Sequence, residues 1–154
     1  MRWVLLLITL FARSAFGDSI SGTVVTVIDG DTLIVQDAAK KRHRVRLAEI
    51  DAPEPKQPLG VRSARSLAAL CYKKEAHVEW SKSDSNGRKA GHVTCAGRDA
   101  NEEQVRRGMA WASPKATGPG SALYEAEAYA RLRMIGLWAD EKALPPWEWR
   151  AQEH

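Results

Sequence analysis

A chain of 154 residues that is 44% apolar and 27% charged is long enough for one domain with a real core, which excludes two ordinary domains and excludes a disordered chain. Lys plus Arg is 23 against 19 for Asp plus Glu, a net charge of +4, so an anionic partner is open but unnamed. With no C-x-x-C and no ligand spacing among His43, His77, His92 and His154, a zinc site has no support.

The chain opens on a positive start, Met1 and Arg2, followed by an apolar run over 3–11. Ala15 and Gly17 then place small residues at the −3 and −1 positions of a cleavage site, completing the three parts of a secretory signal. The run is far shorter than the roughly 20 residues of a membrane-spanning helix. An uncleaved anchor or a buried first strand are the other readings of 1–17. Cleavage would leave a single domain over 18–154, exported to the periplasm or secreted, with no stable membrane association. It would remove Arg2 and Arg13 and leave 21 basic against 19 acidic residues, so net charge argues only weakly for nucleic acid. In an exported chain, Cys71 and Cys95 suggest the one available bridge; two buried thiols are the alternative.

Residues 20–28 (ISGTVVTVI) are rich in β-branched side chains, Asp29-Gly30 is a turn pair, and 32–36 resumes strand character, a hairpin signal. After a polar turn at 37–40, a third strand over 42–47 puts Arg42, Arg44 and Arg46 on one face and His43, Val45 and Leu47 on the other. Three prolines within 51–58 make that segment a loop. Apolar and small residues spaced through 59–70 predict an amphipathic helix. Short strands follow at 76–80 and 91–95, with a turn cluster at 84–87 between them. Asp99 reads as an N-cap, with Glu102 three residues on, for a helix that stops at Gly108. A Pro/Gly loop spans 113–121, and a helix over 123–135 is ended by Gly136. The tail, 145–149 (PPWEW), carries anchor-like aromatics. Strands first and helices after predict an α+β domain, a small five-stranded barrel with helices on it.

Two turns concentrate carboxylates, Asp29 with Asp31 and Asp51 with Glu54. Each alone reads as a solvated turn. Together they suit a hard divalent cation, which takes oxygen ligands and keeps water, with Asp31, Asp51 and the carbonyl of Ala52 as ligands. The EF-hand pattern is absent. Arg46 precedes the acidic loop and Arg88 follows the 84–87 turn. Two arginines facing a carboxylate-held metal would clamp a phosphate bidentately.

In order along the chain, IDGDT (28–32), VRLAEIDAPE (45–54) and the Gly87-Arg88 pair resemble the staphylococcal nuclease (thermonuclease) family. Residues 101–111 are similar to its second helix and exit, and RLRMIGLW (131–138) to the end of its last helix, so the likeness covers about 20–140. The resemblance implies a five-stranded OB-fold β-barrel with three helices and a secreted, calcium-dependent phosphodiesterase. It implies a monomer acting on DNA and RNA without sequence preference, single strands preferred, and leaving 3′-phosphate ends. It assigns Asp31 and Asp51 as carboxylate Ca2+ ligands, Ala52 as the carbonyl ligand, Arg46 and Arg88 as phosphate-binding arginines, and Glu54 as general base. Asp29 matches a nearby acidic residue with a supporting role.

The chain also departs from the family pattern. Ala52 stands where Thr is common, Ser85 and Asn86 where aromatics often precede Gly-Arg, and the stacking tyrosines lack counterparts after Trp111. The phosphate chemistry is expected to persist with weaker or differently shaped nucleotide affinity. The basic stretch 40–46 reads either as a solvated strand and turn or as a rim for the polynucleotide backbone. Trp138, Trp147 and Trp149 read as core or tail anchors before base platforms. The rival readings are a non-catalytic OB-fold module binding nucleic acid or protein, and a calcium-stabilised structural protein. A pure binding module has no need of the complete acidic and arginine set.

Overall fold

The computed structural model describes residues 18–83 and 89–152. The expected signal segment 1–17, the turn 84–87 and Arg88 lie outside the described residues. In chain order the elements are β1 (Asp18–Val27), β2 (Thr32–Gln36), β3 (Arg42–Leu47), β4 (Ile50–Asp51), α1 (Gly60–Cys71), β5 (Glu75–Ser83), β6 (Lys89–Cys95), β7 (Arg98–Asp99), α2 (Ala100–Arg106), β8 (Trp111–Ala112), α3 (Ala122–Leu132), a 3-10 turn (Gly136–Ala139) and α4 (Pro146–Gln152). The fold is α+β.

β1 pairs antiparallel with both β2 and β5, β2 with β3, and β5 with β6. A parallel pairing of β3 with β6, Val45 opposite Lys89 and Leu47 opposite Gly91, closes the five strands into a barrel. Alternation fills it. Leu33 and Val35 of β2, Val45 and Leu47 of β3, Val78 of β5 and Val93 of β6 all point inward and are buried. Each such side chain contributes roughly 1.5–3 kcal/mol by leaving water. Arg42 and Arg44 stay exposed on the other face of β3, as the period-two reading requires. Leu67 and Leu70 of α1 and Val105 of α2 close the barrel from outside.

The helix ends follow local chemistry. Asp99 caps α2 by accepting the amide of Glu102 (2.9 Å), while the Glu102 carboxylate pairs with Arg106 (2.7 Å) one turn on and does not reach back to the cap. Ser121 caps α3 by accepting the amide of Leu123 at 3.3 Å. α3 stops at Leu132, three residues before the expected end, because Met134 and Gly136 both take positive φ, 53° and 60°. There Gly136 meets Gly108 backbone to backbone, and Leu137 N–H donates to the Gly108 carbonyl at 2.9 Å. A Cβ on either glycine would run into the other segment's main chain.

Cys71, at the end of α1, is bonded to Cys95, at the end of β6, with their α-carbons 5.2 Å apart. Trp138, half-buried, packs edge-on against the buried Trp111 at 5.8 Å. The tail departs from three helices by adding a fourth. Pro145 accepts the amides of Glu148 and Trp149 at 3.0 Å and so starts α4, with Pro146 at the first helical position, where a missing N–H is harmless. Trp147 touches Trp111 edge-on at 6.4 Å, and the buried Gln57 side chain donates to the Leu144 carbonyl, which ties the tail to the 51–58 loop. Among the described residues no helix is long and apolar enough to cross a membrane.

Candidate active site

The Asp29–Asp31 turn between β1 and β2 and the β4 segment with its following loop meet at one end of the barrel. The first turn is held from behind. Gln104 of α2, fully buried, donates from Nε2 to the Gly30 carbonyl (2.7 Å) and the Ser63 carbonyl (3.1 Å). Ser63 Oγ in turn donates to the Met109 carbonyl at 2.6 Å. Gly30 sits so close to Ser63 and Ala52 that a Cβ would overlap both. Asp29 Oδ1 accepts the Asp31 amide (3.0 Å), and the Asp31 carbonyl accepts the Leu47 amide (2.8 Å). The second segment is pinned by Asn101, whose Oδ1 accepts Val93 N–H (3.0 Å) and whose Nδ2 donates to the Ala48 carbonyl (2.8 Å). Sequence reasoning missed Gln104, Asn101 and Ser63, since a lone amide or hydroxyl within a helical pattern carries no signal of what it will hold.

These supports bring Asp31 and Asp51 together. Both are 6% exposed. Asp31 accepts Thr32 Oγ1 (2.9 Å) on Oδ1 and the Ala52 amide (3.0 Å) on Oδ2. Arg46, opposite Thr32 on β3, reaches both carboxylates with the same nitrogen: Nη2 lies 2.9 Å from Asp51 Oδ1 and 3.4 Å from Asp31 Oδ2. Burial works against the Arg46 charge, but Asp31 and Asp51 outweigh it and hold its pKa above the ordinary value. Burial, with Asp31 close by, pushes the Asp29 carboxyl up from 3.8. Glu54 stands at the rim, its amide held by Gln57 Oε1 at 3.1 Å. The structure thus gathers Asp31, Asp51, Ala52, Glu54 and Arg46.

A sixth residue stands among them. Arg150 of α4 donates to Glu54 Oε1 from Nη1 (2.6 Å) and to Asp51 Oδ2 from Nη2 (2.7 Å), with a longer Nη1 contact to Asp51 Oδ1 (3.3 Å). Its hydrogen bond to Asp51, opposed by partial burial and reinforced by Glu54, raises its pKa further above the ordinary arginine value. Nothing in the tail sequence marked it, because 99 residues separate it from Asp51 and Arg is unremarkable beside Trp in a short helix.

The resulting open pocket, about 360 Å³, sets four carboxylates, Asp29, Asp31, Asp51 and Glu54, against two guanidiniums, Arg46 and Arg150. With all ionised, two negative charges are in excess. Among the described residues no three His, Cys, Asp or Glu side chains are grouped so that together they could hold a metal ion. The oxygen donors that converge are the buried Asp31 and Asp51 carboxylates, with the Ala52 amide donating to Asp31, in a pocket open to water. This fits a hard divalent cation and does not fit a structural zinc. A second cavity, about 540 Å³, adjoins this pocket, shares Arg46, Asp51 and Arg150 with it, and is walled by Ile50, Pro114 and Trp147. Trp147 therefore lines a cleft as well as anchoring the tail.

A family profile described as staphylococcal nuclease homologue matches residues 44–140. The chain is 40% identical over 139 residues to a micrococcal nuclease of Shigella flexneri, covering 84% of this chain and 79% of that one. It is 38% identical over 130 residues to an uncharacterized endonuclease of Haemophilus influenzae, covering 84% and 72%. It is 34% identical over 166 residues to protein ParB of Escherichia coli, covering all of this chain and 92% of that one. With the barrel, the acidic pair and its arginine in place, the chain belongs to the staphylococcal nuclease family.

Proposed function

We propose that this protein is an exported, calcium-dependent nuclease that hydrolyses phosphodiester bonds of DNA and RNA without sequence preference, preferring single strands and leaving 3′-phosphate ends. The observation that carries the reading is the convergence of Asp31, Asp51, Glu54 and Arg46 in one open pocket, in a chain whose relatives include a micrococcal nuclease.

A phosphodiester is an anion and repels a nucleophile, so its site has to supply positive charge where negative charge grows. Asp31, Asp51 and the Ala52 carbonyl are the groups that would hold Ca2+, which neutralises charge on the phosphate oxygens when bound. Arg46 has Nε and Nη1 without a hydrogen-bond partner among the described residues, leaving donors for a non-bridging oxygen. Arg88 is the second phosphate arginine in this reading. Glu54 makes no hydrogen bond through Oε2 among the described residues, so that oxygen is open to orient the attacking water and take its proton. The adjoining cavity, within the size range of small-ligand sites, receives the nucleoside beside Trp147. Arg42 and Arg44, exposed on the strand that ends at Arg46, extend the positive surface along a polynucleotide backbone, where binding weakens with salt.

Export rests on the signal-like segment 1–17. The test is degradation of single-stranded DNA by the purified mature protein and by Glu54→Gln and Asp51→Asn. Cleavage by the parent that either substitution abolishes, with folding retained, supports the reading. Binding without cleavage by the parent in calcium would instead favour a binding module.

A further inference from the structure

We propose that Arg150, on a helix beyond the family-matched domain, is a substrate-phosphate residue of this site: a guanidinium that rests on Asp51 and Glu54 and transfers to a phosphate oxygen when nucleotide enters. The inference rests on the nuclease reading above. The matched region ends at residue 140, whereas α4 spans Pro146–Gln152.

The helix is held independently of Arg150. Pro146 is buried, Trp147 packs on Trp111, and Gln57 binds the Leu144 carbonyl. That anchorage delivers the guanidinium to one place, with its side chain 42% exposed at the pocket mouth. Arg46 and Arg150 approach the same carboxylate from two sides, at 2.9 Å and 2.7 Å. Asp51 is a carboxylate that a divalent cation would also claim. With a dication held there, Asp51 would have less charge to share between two guanidiniums, and both would be free to meet the anion that shares the pocket. Arg150 also has Nε without a partner among the described residues. A fork that already makes two charge-assisted bonds to carboxylate oxygens has the geometry to make them to a phosphate.

The opposite role, a latch that blocks the carboxylates, is an outcome of the same experiment. The probe is thymidine 5′-monophosphate, which has no phosphodiester to cleave, titrated calorimetrically in calcium; hydrolysis of oligothymidylate is measured beside it. Arg150→Gln is expected to weaken mononucleotide binding and lower kcat/KM, each about tenfold, as loss of one charge-assisted phosphate contact implies. Arg150→Lys should recover part of the binding, and added ethylguanidinium should partly restore Arg150→Ala. Unchanged binding and turnover in Arg150→Gln, or faster turnover without weaker binding, would overturn the proposal. If the parent does not cleave, the nuclease reading fails, whereas an active parent with an indifferent Arg150→Gln sinks only this inference.

Discussion

Arg46 and Arg150 hold the same carboxylate and are supported in opposite ways. Arg46 projects from β3, paired with β2 on one edge and β6 on the other, so its backbone is fixed by ladders on both sides. Arg150 projects from a seven-residue helix whose place is set by aromatic contacts and one side-chain hydrogen bond. The barrel half of the site is held by strand ladders, with Arg46, Asp51, Ala52 and Glu54 inside the matched family region and Asp29 and Asp31 before it. The tail half packs on it through Trp147 against Trp111 and changes the site through the charge of Arg150. The site is thus a barrel frame carrying a wall supplied by the tail helix.

The two halves should separate under mutation. The largest effect belongs to the barrel side: Glu54→Gln should lower kcat by about 10²–10⁴, the range of a lost general base, read as initial rates on oligothymidylate. Arg46→Ala should lower kcat by about 10²–10³, as for loss of one preorganised donor at a developing anion. If Arg46→Ala costs no more than Arg150→Gln, the ranking of frame over tail wall is wrong. Reduction of the Cys71–Cys95 bridge, which joins α1 to β6 across 24 residues, should lower unfolding free energy by about 3 kcal/mol in denaturant titration. The bridge lies in the frame, so per-molecule activity below the transition should hold.

On the tail side, Trp147→Leu, which keeps an apolar contact to Trp111 and so the place of α4, should raise KM about tenfold with kcat kept, since stacking on one aromatic is worth roughly 1–3 kcal/mol per base. An abasic oligonucleotide should not distinguish this variant from the parent, and an equal KM change on both substrates would remove the base contact from the account. The smallest effect lies far from the site. Asp37 accepts from His43 Nε2 at 2.7 Å, and that hydrogen bond holds the Asp37 carboxyl below 3.8. A depressed carboxyl pKa contributes stability that is present above the unfolded value and lost as pH falls through the folded one. The Tm gap between the parent and Asp37→Asn should therefore be steady above about pH 4 and close below it, with nuclease activity at neutral pH untouched.

Much of the frame was legible in the sequence because it depends on periodicity and turn chemistry. Alternation along 42–47 placed Val45 and Leu47 inward and the arginines outward, and the structure keeps that division. The acidic turns were visible because Asp-Gly-Asp and Asp-Ala-Pro-Glu have few other uses side by side. Gln104, Ser63 and Asn101 were not legible, because their partners are main-chain carbonyls and amides 8 to 74 residues away. The tail was half legible. Trp147 reads as an anchor and is one, but its place on the cavity wall follows from the helix that Pro145 and Pro146 begin. Arg150 depends on that helix twice over, for its existence and for its direction.

In the proposed reading, the buried Asp31 and Asp51 carboxylates and Glu54 form one metal-assisted hydrolytic site. Its most direct measurement is the rate of single-stranded DNA hydrolysis by the parent protein before chelation, after chelation and after calcium is returned, with Asp51→Asn carried in parallel. Loss on chelation, recovery with calcium, and no recovery in Asp51→Asn are the expected results. Hydrolysis that continues undiminished in chelator, or that Asp51→Asn sustains at the parent rate, would contradict that reading.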